Sequence, residues 1–268
     1  MTERIDLFDS TYRHFTERVL DEIRKDTYGI DIGQNSWLTV DEYERLLPLL
    51  QLGPDTHVLE VASGSGGPAI YVARTRRCRV TGIDANESGI ATATQLAAAA
   101  GLDARVQFRH ADATGPLPFA ADTFGALVCI DSMNHFPDRA AVLREWQRVL
   151  RPGGRALFTD PVVITGLVTN DELARRSSIG LFVFVPPGVN EALIAEAGLR
   201  VIRQENVTAN AALTAGRWHQ ARDARRDDLL RIEGEARFTG LQTFFQTVHD
   251  LTRERRLSRL AYVVEKPA

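Results

Sequence analysis

The chain has 268 residues, 44% of them hydrophobic and 25% charged, which suits one large α/β domain or a domain with an insertion. Its formal net charge of −3 argues against a general nucleic-acid binder. The two cysteines, Cys78 and Cys129, lie in apolar contexts and are too few for a metal site. No signal peptide or long apolar run is visible, so we expect a cytoplasmic protein that does not insert into a membrane.

The first segment carries apolar side chains at helical spacing. Residues 3–25 place Phe8 and Tyr12 on one face, which predicts an amphipathic helix ahead of the main domain. Thr39-Val40-Asp41-Glu42 fits a capping box that opens a second helix. We assign residues 1–50 to an N-terminal helical lid, and a plain packing role for the first helix explains the same pattern.

The loop 28–37 holds two glycines among polar and aromatic residues. Tyr28 and Trp37 offer large contact areas on few rotatable bonds, so this loop is a candidate cover over a cofactor or substrate. Ordinary anchoring of the loop fits the same composition.

A glycine-rich turn follows the first strand candidate, Val58–Val61, and Pro68 then fits the first turn of a helix. Strand, glycine turn and helix form the opening unit of a doubly wound nucleotide-binding domain. Two registers compete for the turn. Gly64-x-Gly66-x-x-Ala69 loosely matches a dinucleotide fingerprint. Glu60-x-Ala62-x-Gly64-x-Gly66 instead puts an acid before the loop, which suits a ligand with an ammonium and a sulfonium better than one with a pyrophosphate.

Three further acids follow strand candidates. Asp84 ends the second strand, 20 residues beyond Gly64, which is the separation at which a carboxylate meets ribose hydroxyls. Asp112 follows the third strand and Asp131 the fourth. In a doubly wound sheet the chain order reverses between the first and fourth strands, so the glycine turn and residues 131–136 should face each other.

The Glu60-x-Ala62-x-Gly64-x-Gly66 register resembles motif I of the class I S-adenosylmethionine-dependent methyltransferases, in which glycine is usual at the position of Ala62. The Leu150-Arg151-Pro152-Gly153-Gly154 turn is similar to the same family. Gly66-Gly67-Pro68-Ala69 is similar to its small-molecule members, which act on sterols, quinones, amines and natural products. The resemblance implies an α/β fold with a doubly wound, mostly parallel seven-stranded sheet, a reversed last strand, N-terminal helices and a helical cap.

The resemblance also implies a binding site for S-adenosylmethionine, with S-adenosylhomocysteine as the product. Asp84 would hold the ribose, and Asp112 with Ala113 would hold the adenine. Asp131 would lie near the amino group, and the acids together would form a net negative pocket around a cationic cofactor. The implied cofactor contacts are Glu60, Ser63, Gly64, Gly66, Asp84, Ala85, Asp112, Ala113 and Asp131, with Gln34 and Trp37 from the preceding loop.

Methyl transfer requires the nucleophile, the methyl carbon and the sulfur to be aligned, and a hydroxyl or protonated amine acceptor also needs a base. His135, just past the fourth strand, is the candidate base, and a packing histidine at a strand end is the alternative. No acids suited to a Mg²⁺ clamp are evident, and no metal is predicted. The candidate acceptor contacts are Tyr28, Asn134, Arg217 and Trp218.

The sequence therefore predicts a methyltransferase that acts on an oxygen or nitrogen of a small organic acceptor. The alternatives are an NAD(P)-dependent oxidoreductase and a non-catalytic, methyltransferase-like binding protein. Two long helices, about 209–233 and 236–257, are expected near the C-terminus. Neither the acceptor nor the oligomeric state follows from the pattern. The predicted domains beyond the lid are 51–165, the cofactor-binding core; 166–258, a helical cap and acceptor region with a strand near 199–207; and 259–268, the final strand of the core.

Overall fold

One seven-stranded sheet organises the fold in the computed structural model, which describes residues 11–268. The strands are β1 His57–Val61, β2 Arg79–Asp84, β3 Val106–His110, β4 Phe124–Cys129, β5 Leu150–Ile164, β6 Arg200–Asn206 and β7 Leu257–Glu265. Their order is β3-β2-β1-β4-β5-β7-β6. Strands β1 to β5 run parallel, while β7 is antiparallel to β5 and β6. The prediction of a mostly parallel seven-stranded sheet with a reversed last strand is confirmed.

Helices cover the sheet and form a separate layer above its carboxyl edge. The helices are α1 Arg18–Tyr28, α2 Val40–Leu46, α3 Gly67–Arg76, α4 Glu87–Ala99, α5 Arg139–Val149, α6 Asn170–Arg176, α7 Val189–Glu196, α8 Thr208–Asp223, α9 Arg226–Glu233 and α10 Glu235–Arg253, with 3₁₀ turns at Leu47–Leu50 and Met133–His135. No helix within residues 11–268 combines the length and apolar character needed to cross a membrane.

The central strands are apolar because both faces of the sheet are covered. On one face Trp146 and Phe158 belong to a cluster of buried side chains, and on the other face Tyr43 and Ile70 belong to a second cluster. Both cysteines are buried and unbridged within these two clusters. The sheet is therefore rigidly packed, which fixes the positions of the residues at its strand ends.

Helix starts follow local capping chemistry. The Asn86 side chain accepts the Gly89 N–H at 2.8 Å and begins α4. A full capping box opens α6, because Thr169 accepts the Glu172 N–H and the Glu172 carboxylate accepts the Thr169 N–H. The capping box expected at Thr39 is only half formed: Thr39 accepts an N–H, but Glu42 is bound elsewhere.

The helical layer differs from its predicted boundaries. The expected helix 209–233 is divided into α8 and α9, and the expected helix 236–257 ends at Arg253, four residues early. In the N-terminal segment, residues 14–17 interrupt the helical pattern before α1, and residues 3–10, with Phe8, lie outside the described part of the chain. Helices α1, α8 and α10 share one apolar cluster with Trp37, so the N-terminal and C-terminal helices pack as a single layer.

Candidate functional site

A cavity of about 630 Å³ lies between the carboxyl ends of the strands and the helical layer. Its volume falls within the ~300–1,000 Å³ of small-molecule sites. The described residues place no cluster of three or more His, Cys, Asp or Glu side chains that could hold a metal ion. The predicted site residues that line the cavity are Trp37, Glu60, Ser63, Gly64, Asp84, Ala85, Asp112, Ala113, Asp131, Asn134, His135 and Trp218.

Two predicted cofactor contacts serve the framework instead of lining the cavity. Gly66 has φ of +78°, and a Cβ there would lie 2.5 Å from the Phe108 ring, so it allows α3 to pack against the sheet. Gln34 is fully buried; its side chain accepts the Ile32 N–H at 2.8 Å and donates to the Leu38 carbonyl at 3.3 Å. It therefore shapes the loop that carries Trp37.

Two predicted acceptor contacts also point elsewhere. The Tyr28 hydroxyl donates to the Ser36 carbonyl at 2.6 Å and accepts the Trp218 indole N–H at 3.2 Å. Arg217 donates to the Thr27 carbonyl at 3.4 Å. Both side chains fasten α8 to the N-terminal segment, so of this group only Asn134 and Trp218 reach the cavity.

The turn after β1 has a strained backbone. Ala62 has φ of +57°, in the left-handed region that costs a residue with a Cβ about 1 kcal/mol relative to glycine. Gly64 follows with φ of +52°, and a Cβ on it would lie 2.6 Å from the Tyr12 hydroxyl. Tyr12 therefore covers the bare backbone of Gly64, and the turn needs glycine at this point.

Glu60 is buried at the end of β1 and lines the cavity. Burial raises the pKa of its carboxyl to about 8; the charge of Asp84 adds to the rise, and the Ala69 N–H opposes it. Its Oε2 atom has no hydrogen-bond partner among the described residues. A buried carboxyl oxygen without a partner can receive a donor or a positive charge from a ligand.

Asp84 is fixed by the backbone around it. Its carboxylate accepts the N–H groups of Gly64 and Asn86, each at 2.8 Å. Burial raises its pKa, and these backbone hydrogen bonds act in the opposite direction. Since a carboxylate has about four acceptor positions, Asp84 can still accept two hydroxyl groups. Asp112 is exposed at the rim, where it accepts the Thr114 N–H at 2.8 Å.

Asp131 is an exception to the expected ring of negative charges. Its Oδ1 accepts the Arg259 Nε–H at 2.6 Å, and its Oδ2 accepts the Trp37 N–H at 2.8 Å. Arg259 is fully buried and also donates to Glu42 at 2.6 Å. The charge of Asp131 is therefore compensated within the protein, and its carboxylate anchors the Trp37 loop to the tip of β4.

His135 lies half-buried in the 3₁₀ turn after β4. Its Nδ1 is 2.8 Å from the Leu181 carbonyl oxygen, so Nδ1 carries the proton and Nε2 is the acceptor nitrogen. Burial lowers its pKa to about 4, and the charge of Arg176 also lowers it, while Leu181, Asp131 and Asp160 act in the opposite direction. The imidazole is therefore neutral at physiological pH.

The structure brings further residues to the cavity that the sequence analysis did not select. The Trp37 and Phe244 rings stack at 6.2 Å and the Trp218 and Phe245 rings at 5.4 Å, which gives one wall an aromatic surface. These further cavity residues include Tyr12, Arg176, Phe182, Phe244 and Phe245. Helical spacing identified Tyr12 as an apolar-face residue, but no local pattern distinguishes the other four from core or surface residues.

Residues 58–154 match a protein-family model described as a methyltransferase domain. The chain is 34% identical over 168 residues to 27-O-demethylrifamycin SV methyltransferase of Amycolatopsis mediterranei (strain S699), which covers 62% of this chain and 61% of that protein. Residues 58–154 of the chain therefore form a methyltransferase domain. The chain spans about three-fifths of the length of this relative.

Solved structures share the fold of this chain. A putative sarcosine dimethylglycine methyltransferase from Galdieria sulphuraria aligns with a TM-score of 0.76 and 17% identity, over 84% of this chain and 82% of that chain. The [4+2]-cyclase SpnF aligns with a TM-score of 0.70 and 23% identity, over 99% and 100%. The fold is thus shared by proteins named for different reactions, and it does not by itself define the chemistry.

Proposed function

We propose that this chain transfers a methyl group from S-adenosylmethionine to an oxygen or nitrogen atom of a small organic molecule. The observation that carries the proposal is the buried Glu60 carboxyl, which faces the cavity with one oxygen unpartnered. A cationic ligand would compensate that group, whereas an anionic pyrophosphate beside it would not.

The residues at the strand ends fit the parts of this cofactor. Glu60 would hold the ammonium group, Asp84 the ribose hydroxyls, and the Asp112–Ala113 segment the adenine. When bound, S-adenosylmethionine supplies a methyl carbon that its sulfonium activates towards a nucleophile. The protein then has to align the acceptor with that carbon, and alignment of this kind supplies effective molarities of ~10⁵–10⁸ M.

His135 is proposed as the base for an acceptor that must lose a proton. The Leu181 carbonyl holds the imidazole in the tautomer whose Nε2 accepts, and His135 lines the same cavity as Glu60. The acceptor's O–H or N–H proton would pass to Nε2 as the acceptor atom bonds to the methyl carbon and the bond from that carbon to sulfur breaks, which would leave S-adenosylhomocysteine. The relative named for 27-O-demethylrifamycin SV supports a small-molecule oxygen acceptor, because its name describes O-methylation of such a compound.

Calorimetric titration of the protein with S-adenosylhomocysteine and, separately, with NAD tests the cofactor. We expect micromolar binding of S-adenosylhomocysteine and none of NAD; the reverse result would favour the oxidoreductase. Formation of S-adenosylhomocysteine from S-adenosylmethionine, assayed with a panel of phenols, alcohols and amines, then tests turnover. Binding without product for any acceptor would favour the non-catalytic alternative.

The base is tested once an acceptor is found. His135→Gln should lower kcat about 10²–10⁴-fold, as loss of a general base does, with S-adenosylhomocysteine affinity unchanged. His57→Gln is the control, because His57 lies at the opposite end of β1, where its ring hydrogen-bonds to Thr81. Full turnover by His135→Gln would show that His135 is not the base.

A further inference from the structure

Arg176, the last residue of α6, differs from the other buried arginines. The structure buries five arginines within residues 11–268, and Arg176 is the member of that group that forms no ion pair with a described carboxylate. The four others pair as Arg24 with Asp31, Arg139 with Asp160, Arg222 with Glu233, and Arg259 with Asp131 and Glu42.

The surroundings of Arg176 are aromatic. Its guanidinium carbon lies 4.6 Å from the Phe182 ring centroid and 5.2 Å from the Phe244 ring centroid. Its side chain is 1% exposed and lines the cavity, and its Nε and Nη1 atoms have no hydrogen-bond partner in the described structure. The two rings stabilise the charge through their faces, but they leave the in-plane N–H donors without acceptors.

An unpaired buried charge is costly, and this one persists. Desolvation lowers the pKa of Arg176 to about 9, so it remains charged at neutral pH. Asp131 and Asp160 act on it from a distance, but each is bound by another arginine, Arg259 and Arg139 respectively. The cavity thus holds one positive charge without a counterion from the described chain.

Asn134 presents a second unsatisfied polar group to the same cavity. It is 1% exposed, and neither its Nδ2 nor its Oδ1 has a hydrogen-bond partner in the described structure. Its neighbour His135 contacts Phe182 edge-on at 4.8 Å, and Phe182 in turn covers Arg176. The amide, the imidazole and the guanidinium therefore belong to one continuous wall.

We propose that the methyl acceptor carries a carboxylate, which Arg176 and Asn134 bind through N–H donors. The inference rests on the proposed methyltransferase function and specifies its substrate class. A planar guanidinium matches the two oxygens of a carboxylate, and one positive charge balances one carboxylate but not a dianionic phosphate ester. The stacked rings next to Arg176 favour an apolar or aromatic body on the acceptor.

A carboxylate bound at Arg176 would also act on His135. The groups that act on the His135 charge are Arg176 on α6, the Leu181 carbonyl on the following loop, and Asp131 and Asp160 at the ends of β4 and in β5. Burial is the largest cause of the lowered pKa of His135, and the charge of Arg176 lowers it further; a bound carboxylate would neutralise Arg176 and remove that second part. The acceptor thus makes its own base stronger.

Matched pairs of probes test the charge preference. Benzoate, phenylacetate and 1-naphthoate, each with its primary amide, are titrated calorimetrically into protein saturated with S-adenosylhomocysteine, and phenyl phosphate is added as a dianion. At least one carboxylate should bind about tenfold or more tightly than its amide, since hydrogen bonds to a charged partner carry that difference. No carboxylate binding better than its amide, up to the solubility limit, overturns the proposal, and so does tighter binding of phenyl phosphate.

Variants assign the preference to a residue. Arg176→Met should abolish the difference between carboxylate and amide, while Arg175→Met, a change at the adjacent exposed position, should preserve it. Arg176→Met should keep its affinity for S-adenosylhomocysteine. If that affinity falls together with carboxylate binding, the guanidinium serves the cofactor's own carboxylate and the acceptor proposal fails.

Stability provides a readout that does not need a ligand. Arg176→Met removes a buried charge without stranding a counterion, so the melting temperature of the free protein should stay equal or rise. Arg222→Met strands the buried Glu233 and should lower it. A larger loss for Arg176→Met than for Arg222→Met contradicts the assignment of Arg176 as an unpaired, ligand-directed group. Wild-type protein that does not bind S-adenosylhomocysteine refutes the proposed function, whereas binding without any carboxylate preference refutes only this inference.

Discussion

The two sides of the cavity are built in different ways. The proposed donor side, formed by Glu60, Ser63, Gly64, Asp84 and Asp112, comes from the ends of parallel strands and from the turns that follow them. Its key carboxylate, Asp84, is held by backbone N–H groups. The acceptor side, formed by Asn134, His135, Arg176, Phe182 and Phe244, combines side chains from three separate segments, and two of them have unsatisfied polar atoms.

This difference separates what the fold imposes from what a particular ligand requires. A carboxylate held by backbone amides needs only the strand, the turn and the helix start that every doubly wound domain provides. A guanidinium between two phenyl rings needs α6, the loop after it and α10 to meet in one place. The donor side should therefore tolerate changes in the cap, and the acceptor side should determine specificity.

The largest effect is expected at Arg259, which pairs with the buried carboxylates of Asp131 and Glu42. Arg259→Met leaves Asp131 and Glu42 buried without their counterion and should lower the free energy of unfolding by about 3–5 kcal/mol in urea titrations. The control, Arg200→Met, removes an exposed pair with Glu265 and should change it by ~1 kcal/mol at most. Equal losses for both variants would mean that the buried pairs of Arg259 contribute no more stability than the exposed pair of Arg200.

The next effect isolates the donor side. Asp84→Ala should weaken S-adenosylhomocysteine binding about 100-fold or more, because it removes charged hydrogen bonds to two hydroxyl groups. Carboxylate selectivity on the acceptor side should survive in whatever ternary complex still forms. Asp103→Ala, an exposed change before β3, is the control. Unchanged affinity in Asp84→Ala would break the assignment of this side to the cofactor.

A smaller effect follows from the pKa of Glu60. A cation binds the ionised carboxylate, so S-adenosylmethionine affinity should rise with pH, by up to tenfold per unit, and level off above about 8. The folded pKa is raised, so the unfolded chain ionises first and the free protein loses stability as pH rises towards 8. Glu60→Gln should remove this contribution to the pH dependence of affinity and to the pH dependence of stability. The amino group of the ligand titrates in the same way with the wild type and with the variant, so it does not affect the comparison. If the wild type and Glu60→Gln gave identical pH curves, Glu60 would not bind the charged group of the ligand.

The smallest effect concerns the strained turn. Ala62→Gly should raise the free energy of unfolding by up to about 1 kcal/mol, since glycine adopts positive φ without cost. Ala69→Gly in α3 has the opposite expectation, a loss of about 1 kcal/mol, because glycine is unfavourable in a helix. Affinity for S-adenosylhomocysteine should change little in Ala62→Gly. A loss of affinity would show that the strained backbone itself is part of the cofactor site.

The framework of the proposed donor side was predictable from the sequence because its signals are local. Buried strands of a parallel sheet are continuous apolar runs, and the acid at the end of β2 follows the glycine turn at a fixed distance. The sheet topology and the methyltransferase domain were confirmed on this basis. The hydrogen bond from the Gly64 N–H to Asp84 was not among these predictions.

The acceptor side was not predictable because its signals are long-range. Arg176 lies in a short helix of mixed charges, where an arginine is ordinarily solvated. Tyr28 and Gln34 lie in a loop whose composition suits a ligand cover, but their hydrogen-bond partners are Trp218 and the loop backbone. Glu42 matches a capping box, yet the distant Arg259 competes for its carboxylate. In each case a tertiary partner decided the role.

The arrangement of the indole rings has a practical consequence. Of the three tryptophans, Trp37 and Trp218 line the cavity, while Trp146 is buried against Phe158 in the core on one face of the sheet. Ligand binding therefore changes the surroundings of two emitters and leaves the third as an internal reference. Intrinsic fluorescence reports occupancy without a label, and Trp218→Phe separates the signal of Trp218 on α8 from that of Trp37 in the loop.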